Sequence, residues 1–420
     1  MERIIVEQST GLKGEISVSG AKNSVLKILA ASLLAEGPCV IEDVPDLLDV
    51  RAMIELLRAL GSKVDYYPEE NRIVTEVVDP TITVAPYELT NKMRASIVVL
   101  GPLLARRKRA NVSLPGGCPI GARPIDLHIK GFRTMGYTVT TDHGYVEGFV
   151  EGEINGGQVY LDFPSVGATE NIMMAAVMAD GTTTIFNAAQ EPEITDLANF
   201  LTKMGANISG AGTSVIRIKG VKTLKGVYHQ VIPDRIEAGT YMVAAALTGG
   251  QVLIKNVLPT HLRPVISKLE EAGVIIEERG DALFVDATDG FCGVDITTLP
   301  YPGFPTDMQA QFMVMLCVAE GIHSVKETVF ENRFLYVNEL MRMGAKIKVD
   351  GSSAMISGVN QLEGAKVKST DLRAGAALIL AGLVATGKTE VYEPHHIDRG
   401  FVAIEDKLRG VGAKITRVND

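Results

Sequence analysis

A chain of 420 residues is longer than a single hydrophobic core usually grows, so two domains of roughly 200 residues each, with a cleft between them, are expected. With 46% apolar and 22% charged residues, no Trp and no low-complexity tract, the composition excludes a disordered or fibrous chain. A formal charge of −9 argues against general nucleic-acid binding, so the site for an anionic substrate must gather cations locally.

In chain order, Met1-Glu2-Arg3-Ile4-Ile5-Val6-Glu7 is charged and strand-like rather than signal-like, and a cytoplasmic protein is expected. A helix rich in small residues follows over 23–34, then a Gly-containing turn, a β-rich run, and an amphipathic helix over 50–60 with Met53, Ile54, Leu57 and Leu60 at helical spacing. Gly61 stops that helix and a strand begins after it. The same order recurs. Its first helices are predicted at 95–104, 169–178, 237–247, 308–318 and 374–384, and one later second helix at 335–343. The stop glycines are Gly61, Gly136, Gly205, Gly273, Gly344 and Gly412, so six units of about 70 residues fill the chain. The first helices carry few charges, as helices packed inside a layer of sheet require.

The starts of these helices are polar: Lys22-Asn23, Arg94, Ser165-Val166-Gly167, Asp234-Arg235, Thr306-Asp307 and Asp371-Leu372-Arg373. Arg123, Arg263, Arg333 and Arg399 lie at or near the starts of second helices. Free N–H groups and partial positive charge at helix N-termini favour anions, and nearby guanidiniums add charge-assisted bonds. Each cation alone is equally compatible with a solvated surface charge. The second unit is interrupted by Leu114-Pro115-Gly116-Gly117-Cys118-Pro119-Ile120-Gly121-Ala122-Arg123-Pro124. Pro124 suits a first helical position, which leaves Cys118 on a Gly-rich loop beside Arg123, where its thiol should be more acidic than an ordinary cysteine. Cys39 and Cys317 lie in apolar runs and read as core, and Cys292 lacks a basic neighbour. The four cysteines have neither disulfide nor zinc spacing.

Gly20-Ala21-Lys22-Asn23, the Pro-Gly-Gly-Cys loop, Phe163-Pro164-Ser165-Val166-Gly167-Ala168-Thr169, Pro233-Asp234-Arg235, Pro305-Thr306-Asp307, Phe330-Glu331-Asn332-Arg333 and Asp371-Leu372-Arg373 resemble the enolpyruvyl transferase family over essentially the whole chain. The resemblance implies an α/β fold: a two-lobed inside-out α/β barrel of six βαβαββ units, three per lobe, with buried helices. One lobe would span 22–232 and carry a Cys lid at about 113–124, and the other would comprise 1–21 plus 233–420. It further implies transfer of the enolpyruvyl group of phosphoenolpyruvate to the 3′-hydroxyl of UDP-N-acetylglucosamine, without cofactor or metal. Cys118, Asp307, Lys22 and Arg399 would be catalytic. Phosphoenolpyruvate would be held by Lys22, Asn23, Arg123, Arg373 and Arg399. The sugar nucleotide would be held by Asn23, Arg94, Arg123, Pro124, Ile125, Asp126, Leu127, Ser165, Val166, Gly167, Asp307 and Val329. Phe163 departs from the pattern, because some members carry Lys there. Shikimate 3-phosphate as acceptor, or an inactive sugar-nucleotide-binding paralogue, are the alternatives.

Overall fold

The computed structural model describes residues 2–114, 116 and 124–419. Six times the chain forms a buried helix, a strand, an outer helix and further strand. The six stop glycines all have left-handed backbone, with φ from +84° at Gly61 to +111° at Gly205. After five of them the next N–H bonds back five residues, as Tyr137 N to Phe132 O (3.0 Å) and Ala345 N to Leu340 O (3.1 Å) do. This closure satisfies the last helical carbonyls and requires the φ that glycine adopts without strain. The predicted helix over 95–104 is in two parts, a 3₁₀ turn over Arg94–Val99 leading into an α-helix over Leu100–Arg107.

Among the described residues the strands make six four-stranded sheets of one pattern and a further two-stranded ribbon. In each four-stranded sheet an edge strand runs parallel to the strand that follows the buried helix, and the other two strands are antiparallel. Three sheets take a strand from remote sequence. Tyr228–Gln230 pairs with Cys39–Glu42, Lys13–Ser17 with Gln251–Lys255, and Arg3–Glu7 lies between Lys388–Tyr392 and Lys414–Val418. Among the described residues no sheet closes on itself, so no closed barrel is formed.

The described residues divide into two compact units, one of 20–114, 116 and 124–232 and one of 2–19 with 233–419. In the first, Lys22–Ala31, Leu100–Arg107 and Val166–Ala176 are the buried helices. In the second, Arg235–Thr248, Gln309–Val318 and Leu372–Val384 pack on one another, and every residue from Arg373 to Leu383 is buried. A helix apolar on all sides needs apolar cover on all sides, and the sheets and outer helices of each unit supply it. Among the described residues no helix is long and apolar enough to cross a membrane.

Candidate active site

In the unit of residues 2–19 and 233–419, two buried helices start with aspartate caps. Asp234 accepts from Ile236 N (2.8 Å) and Glu237 N (3.0 Å), and Asp371 accepts from Arg373 N (2.8 Å) and Ala374 N (3.0 Å). Each cap fixes the backbone from which the following Arg235 or Arg373 projects. The third helix begins differently. Pro305 precedes a 3₁₀ turn, Thr306–Met308, with no side-chain cap, so Asp307 does not cap its helix. Its carboxylate instead accepts from Arg333 (2.8 Å) and Arg373 (3.1 Å). Both guanidiniums are 4% exposed and Asp307 is 27% exposed. Burial alone would raise the pKa of Asp307, but the charges of Arg373, Arg333 and Arg235 outweigh it and hold the carboxyl well below the usual range. Arg373 Nη1 is buried with no hydrogen-bond acceptor among the described residues, so this guanidinium keeps one donor that the fold does not satisfy. Arg399 ends the 3₁₀ segment Pro394–Arg399 and, with His395, depresses the basicity of half-buried His396, on which burial acts most. Glu393, His395 and His396 offer ligand atoms within 4.8 Å of one another, but Glu393 is already paired with Lys368 (2.9 Å).

In the unit of residues 20–232, Lys22 opens a buried helix whose N-cap, Ala21, offers no side-chain hydrogen bond, and its ammonium pairs with Asp49 at 2.8 Å, both groups buried. Asn23 is half-buried beside it. The next residue, Ser24, donates to Asp196, which also bonds His229 Nε2 (2.9 Å), so the first turn is tied to the helix over Pro192–Lys203 and the strand over Tyr228–Gln230. Ser165 caps the third buried helix by accepting from Ala168 N (3.3 Å). Gly167 lies against the His128 ring so closely that a Cβ would come within 3.3 Å of it. His128 accepts from Asn171 (3.0 Å), whose side chain also receives Gly101 N (2.7 Å) and donates to Ile97 O (3.0 Å). Burial, then the charge of Arg94, pushes the His128 imidazole down to about 4. Arg94, neutral His128 and the Ser165-Val166-Gly167 turn therefore form one neighbourhood, in which the missing Gly167 side chain makes room for the His128 ring.

Cys118 and Arg123 lie outside the described residues. Pro124 is exposed, and the helix it was expected to open starts at Asp126, because Ile125 (φ −101°, ψ 13°) has not yet entered helical geometry. Ile125 is buried, Asp126 exposed and Leu127 half-buried. Gly116 packs on the Asn91 carbonyl, where a Cβ would collide. Phe163 is 42% exposed. Cys39 and Cys317 are fully buried, and burial raises their thiols to about 11 and about 12; Cys292 is exposed. Val329 is half-buried behind Glu327, whose carboxylate accepts from Val329 N (2.8 Å). Sequence reasoning missed Asp49, His128, Asn171 and Glu327. Asp49 lies in the first turn of its helix and Asn171 inside an apolar helix, where unpartnered polar groups are costly, but nothing in the sequence says what they touch.

Residues 6–408 match the EPSP synthase (3-phosphoshikimate 1-carboxyvinyltransferase) family. UDP-N-acetylglucosamine 1-carboxyvinyltransferase 1 of Caldanaerobacter subterraneus subsp. tengcongensis is 60% identical over 415 residues, covering 99% of each chain. UDP-N-acetylglucosamine 1-carboxyvinyltransferase 2 of Carboxydothermus hydrogenoformans is 58% identical over 422 residues, covering all of both. The crystal structure of the enolpyruvyl transferase NikO from Streptomyces tendae matches with a TM-score of 0.89 at 24% identity, covering 100% of this chain and 99% of that one, which shows a shared fold. EPSP synthase from Acinetobacter baumannii matches with a TM-score of 0.76 at 19% identity over all of both chains. The chain belongs to the EPSP synthase family of enolpyruvyl transferases and, within it, stands with the UDP-N-acetylglucosamine 1-carboxyvinyltransferases.

Proposed function

We propose that this chain transfers the enolpyruvyl group of phosphoenolpyruvate to the 3′-hydroxyl of UDP-N-acetylglucosamine with release of phosphate, the first committed step of peptidoglycan precursor synthesis in the cytoplasm. The observation that supports this most directly is the full-length likeness to transferases of that name, at 60% and 58% identity. The arginine-bound Asp307 and the spare Arg373 donor are chemically suited to it.

In this reading the sugar hydroxyl oxygen attacks the substituted vinyl carbon of phosphoenolpyruvate, its proton passes to Asp307, and the methylene carbon takes a proton from Cys118. A proton then leaves the new methyl group as the C–O bond to phosphate breaks, which restores the vinyl ether and frees phosphate. A carboxylate held among three guanidiniums is a weak base, so proton removal accompanies C–O bond formation rather than preceding it. Arg373 and Arg399 suit the substrate carboxylate, and Lys22, Arg123 and Arg399 its phosphate, with Asn23 beside them. These cations orient the anion and assist phosphate departure. Arg94, Ser165 to Gly167 and residues 123–127 suit the nucleotide diphosphate and sugar, with Asp307 and Val329 on the acceptor hydroxyl side. A two-lobed inside-out arrangement with closure of the Cys118 loop belongs to the same reading, and a scattering radius unchanged by the sugar nucleotide would count against closure.

The test is phosphate release from phosphoenolpyruvate dependent on UDP-N-acetylglucosamine, in the wild type and in Cys118→Ala. Release that largely disappears in the variant supports both the reaction and the lid cysteine. Release dependent on shikimate 3-phosphate instead, or with neither acceptor, overturns the reading.

A further inference from the structure

In five of the six repeats, the residue that follows the strand after the buried helix ties that strand to the end of its parallel neighbour. Asp43 accepts from Gln230 (2.7 Å), Asn187 donates to Leu161 O (2.8 Å), Asn256 donates to Val18 O (2.8 Å) and Glu393 pairs with Lys368 (2.9 Å). Those four residues all have left-handed backbone, with φ of +54° to +58°. The fifth is Glu327, which follows the strand over Ile322–Lys326 and is absent from the left-handed set. It is 3% exposed, and its carboxylate does more than tie two strands. One oxygen accepts from Thr298 Oγ1 (2.8 Å), Val329 N (2.8 Å) and Phe330 N (3.2 Å), and the other from Thr306 Oγ1 (2.9 Å). Thr306 adjoins Asp307, and its carbonyl receives Arg333 (3.3 Å), the same guanidinium that binds Asp307.

We propose that Glu327 is a positioning residue for the acceptor substrate, in which the strand tie of the repeat has become a carboxylate that sets the Thr306-Asp307 turn and the Val329-Phe330 backbone in one register. This rests on the roles assigned above to Asp307 and Val329. A buried carboxylate with four donors on two oxygens holds both segments at once, and a neutral Asn donating to a single carbonyl at this place could not. Two segments that must meet one sugar ring are thereby coupled through one side chain, while none of its four bonds goes to the cations proposed for phosphoenolpyruvate.

The experiment compares steady-state kinetics of Glu327→Ala, Glu327→Gln and Thr306→Val with the wild type, varying each substrate, alongside Asp307→Asn. Glu327→Ala is expected to lower kcat/KM for UDP-N-acetylglucosamine at least tenfold while KM for phosphoenolpyruvate changes less than about twofold, since losing a hydrogen bond to a charged group costs about 1.5–3 kcal/mol. Glu327→Gln keeps an acceptor oxygen for Val329 and Phe330 and an amide for Thr306 Oγ1, and should return to within about threefold of the wild type. Equal damage to both substrates, wild-type kinetics in Glu327→Ala, or no recovery in Glu327→Gln overturns the proposal. If Glu327→Ala fails to fold, Thr306→Val decides: a lower kcat at unchanged melting temperature supports the proposal, and unchanged kcat overturns it. Undiminished turnover in Asp307→Asn would refute the role of Asp307 itself, separately from the acceptor effect read at Glu327.

Discussion

Two buried groups in the unit of residues 20–232 give its stability opposite dependences on pH, and removing one should expose the other. Glu170 is fully buried in the Val166–Ala176 helix, 3.4 Å from Lys27; burial raises its carboxyl from 4.5 to about 7 against the opposing charge of Lys27. His128, in contact with the same helix through Asn171, falls from 6.5 to about 4. Between pH 4.5 and 6.5 the folded chain holds a proton on Glu170 that the unfolded chain has released, so this group's contribution falls as pH rises. Over the same interval the unfolded chain holds a proton on His128 that the folded chain excludes, so that contribution rises with pH. Each amounts to about 1.4 kcal/mol per pH unit, and the two offset one another. Glu170→Gln removes the first, so from pH 4.5 to 6.5 the variant should gain roughly 2 to 3 kcal/mol relative to the wild type. Urea unfolding at half-unit pH steps measures this, and groups that titrate alike in both proteins cancel in the difference. Parallel stability profiles for the two proteins would refute the reasoning.

Asp307→Asn keeps an acceptor for one arginine but removes the base and the counter-charge, so kcat should fall about 10² to 10⁴-fold in the phosphate-release assay. Because three guanidiniums keep Asp307 ionised far below neutrality, any acid limb of the wild-type profile above pH 5 should persist in the variant. Gly344→Ala places a Cβ in open space but at φ +91°, so strain alone should destabilise the protein by about 1–2 kcal/mol, read as a lower melting temperature with unchanged kcat at 25 °C.

The repeat was legible because its signals are local. A glycine forced to positive φ, a small-residue helix and an amphipathic helix each announce themselves over a dozen residues, and all six stop glycines adopt the expected backbone. The remote strands were not legible. The opening segment read as a strand and Lys13–Ser17 did not, but the partners of both lie hundreds of residues away, and nothing local specifies a pairing of Val6 with Thr389. At the site, the cations at helix starts could be read from repeat position, whereas Asp49, His128 and Glu327 act through partners distant in sequence. Their types alone are compatible with a surface or a core.

The six buried helices share one backbone plan, so differences at their starts carry information that no single start does. Ser165, Asp234 and Asp371 satisfy the first free N–H groups with their own side chains. Ala21, Met93 and Pro305, at the equivalent place in the other three repeats, supply no side-chain bond. A missing cap typically costs about 1 kcal/mol, and a repeat fold could have supplied one in every copy. The three uncapped starts carry Lys22-Asn23, Arg94 and Thr306-Asp307, among the groups proposed to meet substrates, while the capped starts carry others, Ser165 to Gly167 and Arg373. The three capped starts hold their first turns rigid, and from two of them Arg235 and Arg373 bring charge to bear on Asp307. Duplication thus yields two kinds of helix start from one plan, three closed by a side-chain cap and three without one.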